Sequence, residues 1–289
     1  MNRIAIALGV ALLILAAPIR AVSAAEPDLA TLLAPDLITQ MEDADVVFLG
    51  EVHDNPAHHL VQADALRRIA PRAVVWEMMP QSVAAQVTGL VIDDPERLEQ
   101  VTGWTDSGWP PLDIYLPVFQ AARGAMQFGA LVPRSDMGQV IGGGIVPYFG
   151  VDAGLYGLKD PLPEAEQAAR EADQQAAHCN AMPEDKLWML VDIQRLRDAV
   201  LARAVRRALG ETGGPVAVIT GNGHARLDRG APVYLRQVDP ALKVFALGQS
   251  EESQSEGQSG ESQSEGQFDA MIDSPAVDRP DPCAVFTKS

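Results

Sequence analysis

The residues Val46-Val47-Phe48-Leu49-Gly50-Glu51-Val52-His53 form a short apolar run that ends in a carboxylate and an imidazole. Such a run is typical of a buried β-strand, and in open α/β sheets ligands bind beyond the carboxyl ends of the strands. Three other stretches show an apolar run with a polar end: Ala73-Val74-Val75-Trp76-Glu77, Phe128-Gly129-Ala130-Leu131-Val132-Pro133-Arg134 and Val216-Ala217-Val218-Ile219-Thr220-Gly221-Asn222-Gly223-His224. We therefore expect the polar ends of all four stretches to meet at one edge of a sheet.

The order of the predicted elements indicates the fold class. The first strand, over about residues 45–50, is followed by Asn55 and Pro56, an N-cap and a first-turn proline that predict a helix. Further strands are predicted over residues 73–77, 216–220 and 243–247, and further helices over residues 163–178 and 184–209. Alternating strands and helices predict an α/β fold, in which a mainly parallel β-sheet is flanked by helices within a single domain.

Four segments differ in composition along the 289 residues. Residues 1–24 contain a basic residue, an apolar run and small terminal residues, which predicts a signal peptide. Residues 25–249 form the predicted α/β domain. Residues 250–267 contain only Ser, Glu, Gln and Gly, so they are predicted to be a disordered low-complexity insert. Residues 268–289 are predicted to be a C-terminal strap of the same domain.

Charge and cysteine content limit the compartment and the partners. The formal net charge of −17 argues against nucleic acid and anionic lipid surfaces as partners. A signal peptide with no cysteine directly after it predicts a soluble protein that is exported to a bacterial periplasm, without stable membrane insertion. In that oxidising compartment we expect Cys179 and Cys283 to form a disulfide, with two free thiols as the alternative.

The polar ends of the predicted strands provide a candidate site. We expect these five side chains to face one another across a common cleft: Glu51, His53, Glu77, Arg134 and His224. Glu51, His53 and His224 could bind a divalent metal, because carboxylate and imidazole are the usual ligands of a catalytic metal ion. Without a metal, a Glu–His pair could still exchange protons with a substrate. In the alternative interpretation, the carboxylates only accept hydrogen bonds from helix N-termini.

The stretch at residues 142–163 is rich in glycine and proline and is nevertheless apolar. Because glycine and proline oppose a long helix, the stretch is predicted to be irregular. Its apolar side chains either line the core or form an exposed patch for a ligand or a second subunit. The sequence leaves both interpretations open.

An ordered series of motifs resembles the ChaN-like haem-binding uptake family of the Tiki/TraB/erythromycin-esterase superfamily. The series starts with Gly50-Glu51-Val52-His53-Asp54-Asn55-Pro56, His59 and Gln62. The later motifs are Glu77, Pro133-Arg134, Gln194 with Asp198-Ala199, Gly221-Asn222-Gly223-His224 and Asp281-Pro282-Cys283. One motif alone is weak, but the ordered set is specific and covers nearly the whole mature chain apart from residues 250–267.

The resemblance implies a haem-binding protein for haem or iron uptake. In the family's mode of binding, one tyrosine holds each iron, two haems stack face to face in a dimer, and His and Lys meet the propionates. A phenolate is a hard, anionic donor that suits ferric haem. The Gly-rich segment contains Tyr148 and Tyr156, with Lys159 nearby. Tyr115 lies in an apolar helical run, which favours the core, and for Tyr234 packing in a strand is an equal alternative.

The predicted haem contacts are Tyr148, Tyr156, Lys159, His53, His59 and Arg134. The predicted partners are haem, a second copy of the chain in a homodimer, and a haem transport system.

The same resemblance implies an alternative function. Superfamily relatives with the Gly-Glu-x-His, Glu and Gly-x-x-His pattern include metal-dependent proteases and esterases. In a hydrolase of this kind, Glu51 or Glu77 would act as base on a water molecule. His53 and His224 would bind a metal or stabilise charge. Haem transport does not obviously require these four groups, so catalysis stays open.

Overall fold

Six parallel strands form one sheet within residues 33–252 and 266–285, which the computed structural model describes. The strands are β1 (Val46–Glu51), β2 (Ala73–Trp76), β3 (Met126–Gly129), β4 (Val216–Gly221), β5 (Val244–Glu251) and β6 (Ala270–Ser274). Their order is β3-β2-β4-β1-β5-β6, and each neighbouring pair is parallel. The predicted α/β class is therefore confirmed.

Helices connect the strands. They are α1 (Pro35–Glu42), α2 (Pro56–Ile69), α3 (Gln81–Ala84), α4 (Gly89–Ile92), α5 (Pro95–Thr102), α6 (Trp104–Ser107), α7 (Leu112–Ala121), α8 (Met137–Gly143), α9 (Ile145–Phe149), α10 (Glu164–Ala177), α11 (Leu187–Thr212), α12 (Asn222–Ala225) and α13 (Ala231–Val238). Short 3-10 turns cover Arg134–Asp136, Val151–Gly154, Glu184–Lys186 and Pro282–Val285. The Asn55 side chain caps α2 by accepting from the Ala57 N–H, and Pro56 is in the first turn, as predicted.

Strand side chains alternate between two cores, one on each face of the sheet. Val47 and Leu49 of β1 pack with α2 and α7 in the first core. Val46 and Phe48 pack with α11 and α13 in the second core. Because successive side chains point to opposite faces, a strand covered on both faces is apolar at nearly every position. This coverage explains the continuous apolar runs of β1, β2 and β4.

The register of the sheet brings polar strand ends together. Glu51 lies opposite Gly221 in the β1–β4 pair. Glu77 directly follows β2, and its N–H donates to the Ile219 carbonyl of β4 at 3.1 Å. The carboxyl ends of β1, β2 and β4 are therefore adjacent.

The apolar run at residues 128–134 suggested a strand there, but the observed strand β3 covers Met126–Gly129 and so ends earlier. A Cβ at Gly129 would lie 2.4 Å from the Met79 carbonyl oxygen, so only glycine lets the chain pass there. Leu131 N–H then donates to the same Met79 oxygen at 3.1 Å. Pro133 has no N–H for a strand ladder, and Arg134 begins a 3-10 turn.

The C-terminal part is more regular than an insert followed by an extended strap. Ser250 and Glu251 belong to β5, although they fall within the predicted insert at residues 250–267. Residues 253–265 of that insert lie outside the described residues. The predicted strap at residues 268–289 contains β6, which pairs with β5. Only Met271 and Ile272 are large apolar residues in β6, too short a run for a sequence pattern to reveal.

Export to an oxidising compartment was the basis for predicting a disulfide and a signal peptide, and the structure tests only the disulfide. The disulfide between Cys179 and Cys283 is present, and it joins the end of α10 to the C-terminal strap. The predicted signal peptide at residues 1–24 lies outside the described residues. Within the part of the chain that the structure describes, no helix has the length and apolarity needed to span a bilayer.

The Gly-rich stretch at residues 142–163 fits both of its predicted interpretations in part. Its buried side chains belong to the second core: Ile145, Phe149, Ala153, Tyr156 and Leu158. In contrast, Val151 is 96% exposed and Leu155 is 62% exposed. The stretch therefore lines the core with one side and presents apolar side chains to solvent with the other.

Candidate functional site

Glu51 at the end of β1 is a buried carboxylate that accepts hydrogen bonds on both oxygens. Oε1 accepts from the Tyr115 hydroxyl at 2.7 Å and from His53 Nδ1 at 2.6 Å. Oε2 accepts from Gln62 Nε2 at 2.6 Å. Burial alone would raise the pKa of Glu51, but hydrogen bonds from His53 and His59 outweigh burial and hold this pKa well below its usual range. Glu51 is therefore ionised at neutral pH and orients its neighbours.

His59 on the first turn of α2 has an acceptor at each ring nitrogen, which favours its protonated form. Its Nε2 donates to the His53 carbonyl at 2.9 Å. Its Nδ1 lies 3.1 Å from Gln62 Oε1 and 3.4 Å from Glu51 Oε2. Gln62 Nε2 donates to the Leu49 carbonyl, which turns Oε1 of the same amide toward His59. Burial lowers the pKa of His59, but Glu51 raises it more, and the net shift is upward.

His53 is the partly exposed member of this group, with 31% of its side chain accessible. Its ring packs against Trp109, with 4.9 Å between the ring centroids. A Cβ at Gly221 would lie 2.8 Å from His53 Nε2, so a glycine is required for the ring to occupy this place. Burial lowers the pKa of His53, but the hydrogen bond to Glu51 raises it more, and the net shift is upward. A carboxylate that orients an imidazole in this way is also found in hydrolases.

Glu77 links the end of β2 to β4. Its Oε2 accepts from Thr220 Oγ1 at 2.7 Å and from Gly221 N–H at 2.8 Å. Its Oε1 lies 3.4 Å from His224 Nε2. Burial would raise the pKa of Glu77, but the charges of His224 and His53 outweigh burial and lower this pKa. Glu77 is therefore a second ionised carboxylate at the same edge of the sheet.

His224 on α12 lies between two carboxylates. Its Nδ1 is 2.6 Å from Asp198 Oδ1 on α11 and 3.2 Å from Gln194 Nε2. Burial opposes the charged ring, but Glu77 and Asp198 outweigh burial and raise the pKa of His224 to about 9. Burial raises the pKa of Asp198, whose Oδ2 has no hydrogen-bond partner among the described residues. His224 is therefore positively charged at neutral pH.

A cavity of about 440 Å³ opens at the carboxyl ends of β2, β3 and β4. Glu77, Arg134 and His224 line it, together with Trp109. Its volume falls within the range of small-molecule sites in proteins. The structure thus brings together three of the five side chains that the sequence assigned to one cleft.

The other two predicted cleft residues lie next to the cavity rather than in its lining. His53 contacts the cavity through Trp109, against which its ring packs. Glu51 is 2% exposed and lies behind His53. These four side chains form a Glu/His group. It has an inner pair, Glu51 and His53, and a cavity-lining pair, Glu77 and His224.

A family model for haem-binding uptake proteins of the Tiki superfamily, ChaN, matches residues 37–235. The match covers more than half of the chain and includes every side chain that surrounds the cavity. The chain belongs to this family. No curated protein sequence matches it.

Comparison with solved structures concerns the fold alone. The ChaN-family chain is similar to a structure described as cofacial heme binding to ChaN of Campylobacter jejuni, with a TM-score of 0.58 and 17% identity over 81% of this chain and 89% of that chain. This likeness shows a shared fold. The type III effector HopBA1 matches at a TM-score of 0.45 and 11% identity, over 83% of this chain and 92% of that one. An erythromycin esterase mutant, EreC, in its open conformation matches at a TM-score of 0.42 and 13% identity, over 75% of this chain and 72% of that one.

The four tyrosines of this ChaN-family chain have different environments. Tyr115, Tyr156 and Tyr234 are at most 5% exposed. Tyr148 is half-buried, and its hydroxyl donates to Asp136 Oδ2 at 2.7 Å. Tyr115 is therefore packed in the core as expected, although its hydroxyl also bonds to Glu51. Tyr234 packs in the helix α13 rather than in a strand.

The structure gives the predicted haem contacts two separate settings. Tyr156 packs edge-on against Phe149 in the second core, and Lys159 is exposed. No hydrogen bond or ring contact within the described residues joins Tyr148, Tyr156 or Lys159 to the Glu/His group. Arg134 lines the cavity and His53 packs against Trp109 beside it, whereas His59 is buried next to Glu51. The six predicted contacts therefore do not form one cluster.

A divalent metal at Glu51, His53 and His224 is not supported. Among the described residues, no group of three or more His, Cys, Asp and Glu side chains is arranged to hold a metal ion. Both Glu51 oxygens are occupied by protein donors, and His224 Nδ1 is engaged by Asp198. Glu51, the carboxylate among the three predicted metal ligands, instead raises the pKa of His53 and of His59.

Sequence reasoning assigned no site role to several residues around the cavity. Trp109 and Arg197 line the cavity, but neither stands at a predicted strand end or in a motif of the family resemblance. Asp198 was noted only as part of a family motif with Gln194. The available signal was spacing, because Gln194 and Asp198 are four residues apart and share one face of α11, from which both reach His224.

Proposed function

We propose that this protein binds ferric haem for uptake, with Tyr148 as the iron ligand. Membership of the haem-binding uptake family supports haem as the ligand. The choice of residue rests on one observation, the exposure of Tyr148. It is the one half-buried tyrosine of the four, all of which lie in the described residues. A phenolic oxygen must be reachable to hold an iron, so Tyr148 is the best candidate.

Asp136 supports a ligand role for Tyr148. Burial and the hydrogen bond to Asp136 raise the pKa of Tyr148 to about 12, so the free protein holds a neutral phenol at this position. A phenolate ligand requires loss of that proton, and Asp136 Oδ2 is the acceptor that already faces it. In other metalloproteins, a group that is hydrogen-bonded to a metal ligand orients that ligand.

Apolar side chains on and beside the Gly-rich segment suit a flat macrocycle. The exposed ones are Ile141 (48%), Val151 (96%), Leu155 (62%) and Trp188 (49%). Exposed apolar surface favours association with a ligand or with another protein surface. We include in the proposal that haem and a second copy of the chain cover these side chains together, and that Lys159 meets a propionate.

The proposal places the protein in a bacterial periplasm, from which it would deliver haem to a transport system. The predicted signal peptide at residues 1–24 supports export. The disulfide between Cys179 and Cys283 supports an oxidising compartment, because disulfides are rare in the cytosol.

A haem titration of matched tyrosine variants tests the proposal. The wild-type protein should shift the Soret band of ferric haem with saturation at one haem per chain. Tyr148→Phe should weaken binding by at least roughly tenfold, because the axial oxygen is lost. Tyr156→Phe, in the same segment but buried, is the control and should bind like the wild type. Equal affinity of wild type and Tyr148→Phe would refute the ligand assignment.

The Glu51–His53 pair favours a second candidate function, hydrolysis at the cavity. Glu51 holds His53 Nδ1 and leaves His53 Nε2 without a hydrogen-bond partner among the described residues. Such an imidazole could remove a proton from water, and the charged His224 could stabilise an oxyanion.

Screening with ester and peptide substrates tests this second function. Turnover should rise with pH as His53 loses its proton, because only the neutral ring can act as a base. His53→Ala and His224→Ala should each abolish turnover. Turnover that persists in both variants would exclude catalysis by these groups.

A further inference from the structure

The cavity at the ends of β2, β3 and β4 contains two arginines that have no carboxylate partner within residues 33–252 and 266–285. Arg134 and Arg197 both line it. Neither forms an ion pair or a side-chain hydrogen bond with the residues that the structure describes. In contrast, Arg195 and Arg206 of the same helix α11 each pair with an aspartate. Arg134 is exposed and Arg197 is half-buried, so both guanidinium groups are accessible to a ligand from solution.

The two arginines come from different elements and reach different parts of the cavity. Arg134 follows β3, and its Nη1 lies 3.5 Å from the place of a Cβ on Gly108, the residue before Trp109. Arg197 is on α11, and its charge acts on His224. Positive groups thus lie both beside the aromatic wall and beside the imidazolium.

The acidic groups of the cavity do not neutralise these arginines. Glu77 is occupied by Thr220, Gly221 and His224. Asp106 also lines the cavity, but it is exposed to water and forms no ion pair within the described residues. The guanidinium groups therefore have free donors for an incoming anion.

The remaining lining of the cavity is largely apolar. Its apolar side chains include Trp109, Leu131, Val132 and Leu201. Ligand sites typically combine an apolar lining with a few polar groups that fix the orientation of the ligand. An arginine presents paired N–H donors that match the two oxygens of a carboxylate. The cavity thus suits a molecule with an apolar body and a carboxylate at one end.

We propose that this cavity binds an organic carboxylate, whose anionic group is held by Arg134 and Arg197 and whose apolar body packs against Trp109. The inference goes beyond the haem-ligand assignment and does not depend on Tyr148. The carboxylate comes either from a haem propionate or from a separate organic acid.

Calorimetric titration with 3-phenylpropionate and its neutral amide tests the proposal. The acid should bind to the wild-type protein, and the amide should bind at least roughly tenfold more weakly, because it lacks the charge that the arginines hold. The double variant Arg134→Gln, Arg197→Gln should lose at least roughly tenfold of its affinity for the acid. Arg67→Gln, an exposed arginine near the end of α2, is the matched control and should bind like the wild type. No binding of the acid up to about 10 mM, corresponding to a free energy above about −3 kcal/mol, would overturn the proposal.

Competition with haem and with haem dimethyl ester distinguishes the two sources of the carboxylate. Displacement of 3-phenylpropionate by haem but not by the diester supports a propionate in the cavity. Displacement by neither supports a separate organic acid. Displacement by both would mean that the macrocycle occupies the cavity without its carboxylates, which contradicts the proposal.

The Tyr148→Phe variant keeps the two proposals separate. It should bind 3-phenylpropionate like the wild type even if it has lost haem affinity. If Tyr148→Phe no longer binds 3-phenylpropionate although both arginines are intact, the arginine site is not independent of Tyr148.

Discussion

At the scale of single residues, the site depends on close approaches that only certain side chains allow. Gly221 is one of them, because His53 Nε2 lies 2.8 Å from the place where a Cβ would be. Gly223, two residues later, has its nearest group at 3.6 Å, the Gln194 amide. Neither glycine has a positive φ. The two positions therefore differ in the room that they leave for a Cβ atom, whereas neither has a backbone conformation that requires glycine.

Gly221→Ala should move the His53 ring and destabilise the protein by about 1–3 kcal/mol, the usual cost of overpacking. Gly223→Ala is the matched control and should change the free energy of unfolding by less than about 0.5 kcal/mol. Urea unfolding measures both, and NMR of the His53 ring reports its displacement. Equal effects of the two substitutions would contradict the tight fit of His53 against β4.

The charged state of His224 should make stability depend on pH. Its pKa is raised to about 9 in the folded protein, against 6.5 for an ordinary histidine. The stabilisation is fully present below about pH 6.5 and is lost as pH rises through about 9, because the folded state then releases the proton that it had held more tightly. The contribution is of the order of 3 kcal/mol at most.

Comparison of the wild type with His224→Gln isolates this effect from the other histidines. Urea unfolding between pH 6 and 10 should show a smaller loss of stability in the variant than in the wild type. Parallel curves for the two proteins would mean that His224 is not held as an imidazolium by Glu77 and Asp198.

At the scale of elements, the C-terminal strap holds the loop that carries His53. Arg279 of the strap bonds to Asp54 Oδ1 at 2.8 Å and to Glu251 Oε2 at 2.5 Å. Asp54 is the residue directly after His53, and Glu251 is the last residue of β5. The strap thus links the end of β5 to the loop after β1.

Arg279→Gln should lower the free energy of unfolding by about 1 kcal/mol, since partly exposed ion pairs contribute little individually. It should also speed amide hydrogen exchange at Asp54 and Asn55. Arg123→Gln breaks a more exposed pair with Asp93 and serves as the control, with exchange at residues 54–55 unchanged. Unchanged exchange in Arg279→Gln would show that the strap does not hold this loop.

The elements also show how far the sequence could predict the fold. The strands β1, β2 and β4 were predicted because they are covered on both faces and are therefore apolar throughout. The prediction for β3 was displaced, because the apolar run continues past Gly129 after the chain has left the sheet against Met79. The edge strand β6 was not predicted, because it is short and is defined by its pairing with β5.

The candidate site, like the fold, could be predicted from the sequence only in part. Polar residues at strand ends were predictable, because their place depends only on the local pattern and on parallel topology. The contacts that orient them were not predictable. The Tyr115 hydroxyl reaches Glu51 across 64 positions of sequence, and Asp198 reaches His224 across 26. Such contacts depend on how α7 and α11 pack on the sheet.

At the scale of the whole molecule, the exposed apolar side chains around Val151 and Leu155 predict association on haem binding. Sedimentation velocity should show a larger dimer fraction with one equivalent of ferric haem than without haem. Val151→Asp with Leu155→Asp should suppress the dimer, because like charges would face each other across the contact. Leu90→Asp, at another exposed apolar position, is the control. A haem-bound protein that remains monomeric would contradict this prediction.

Resonance Raman spectroscopy of the ferric haem complex, excited in the Soret band, tests most directly that Tyr148 holds the iron. The wild-type protein and Tyr156→Phe should both show vibrational modes of an iron-bound phenolate, and Tyr148→Phe should lack them. Phenolate modes that persist in Tyr148→Phe, or that are absent from the wild-type complex, would contradict the account.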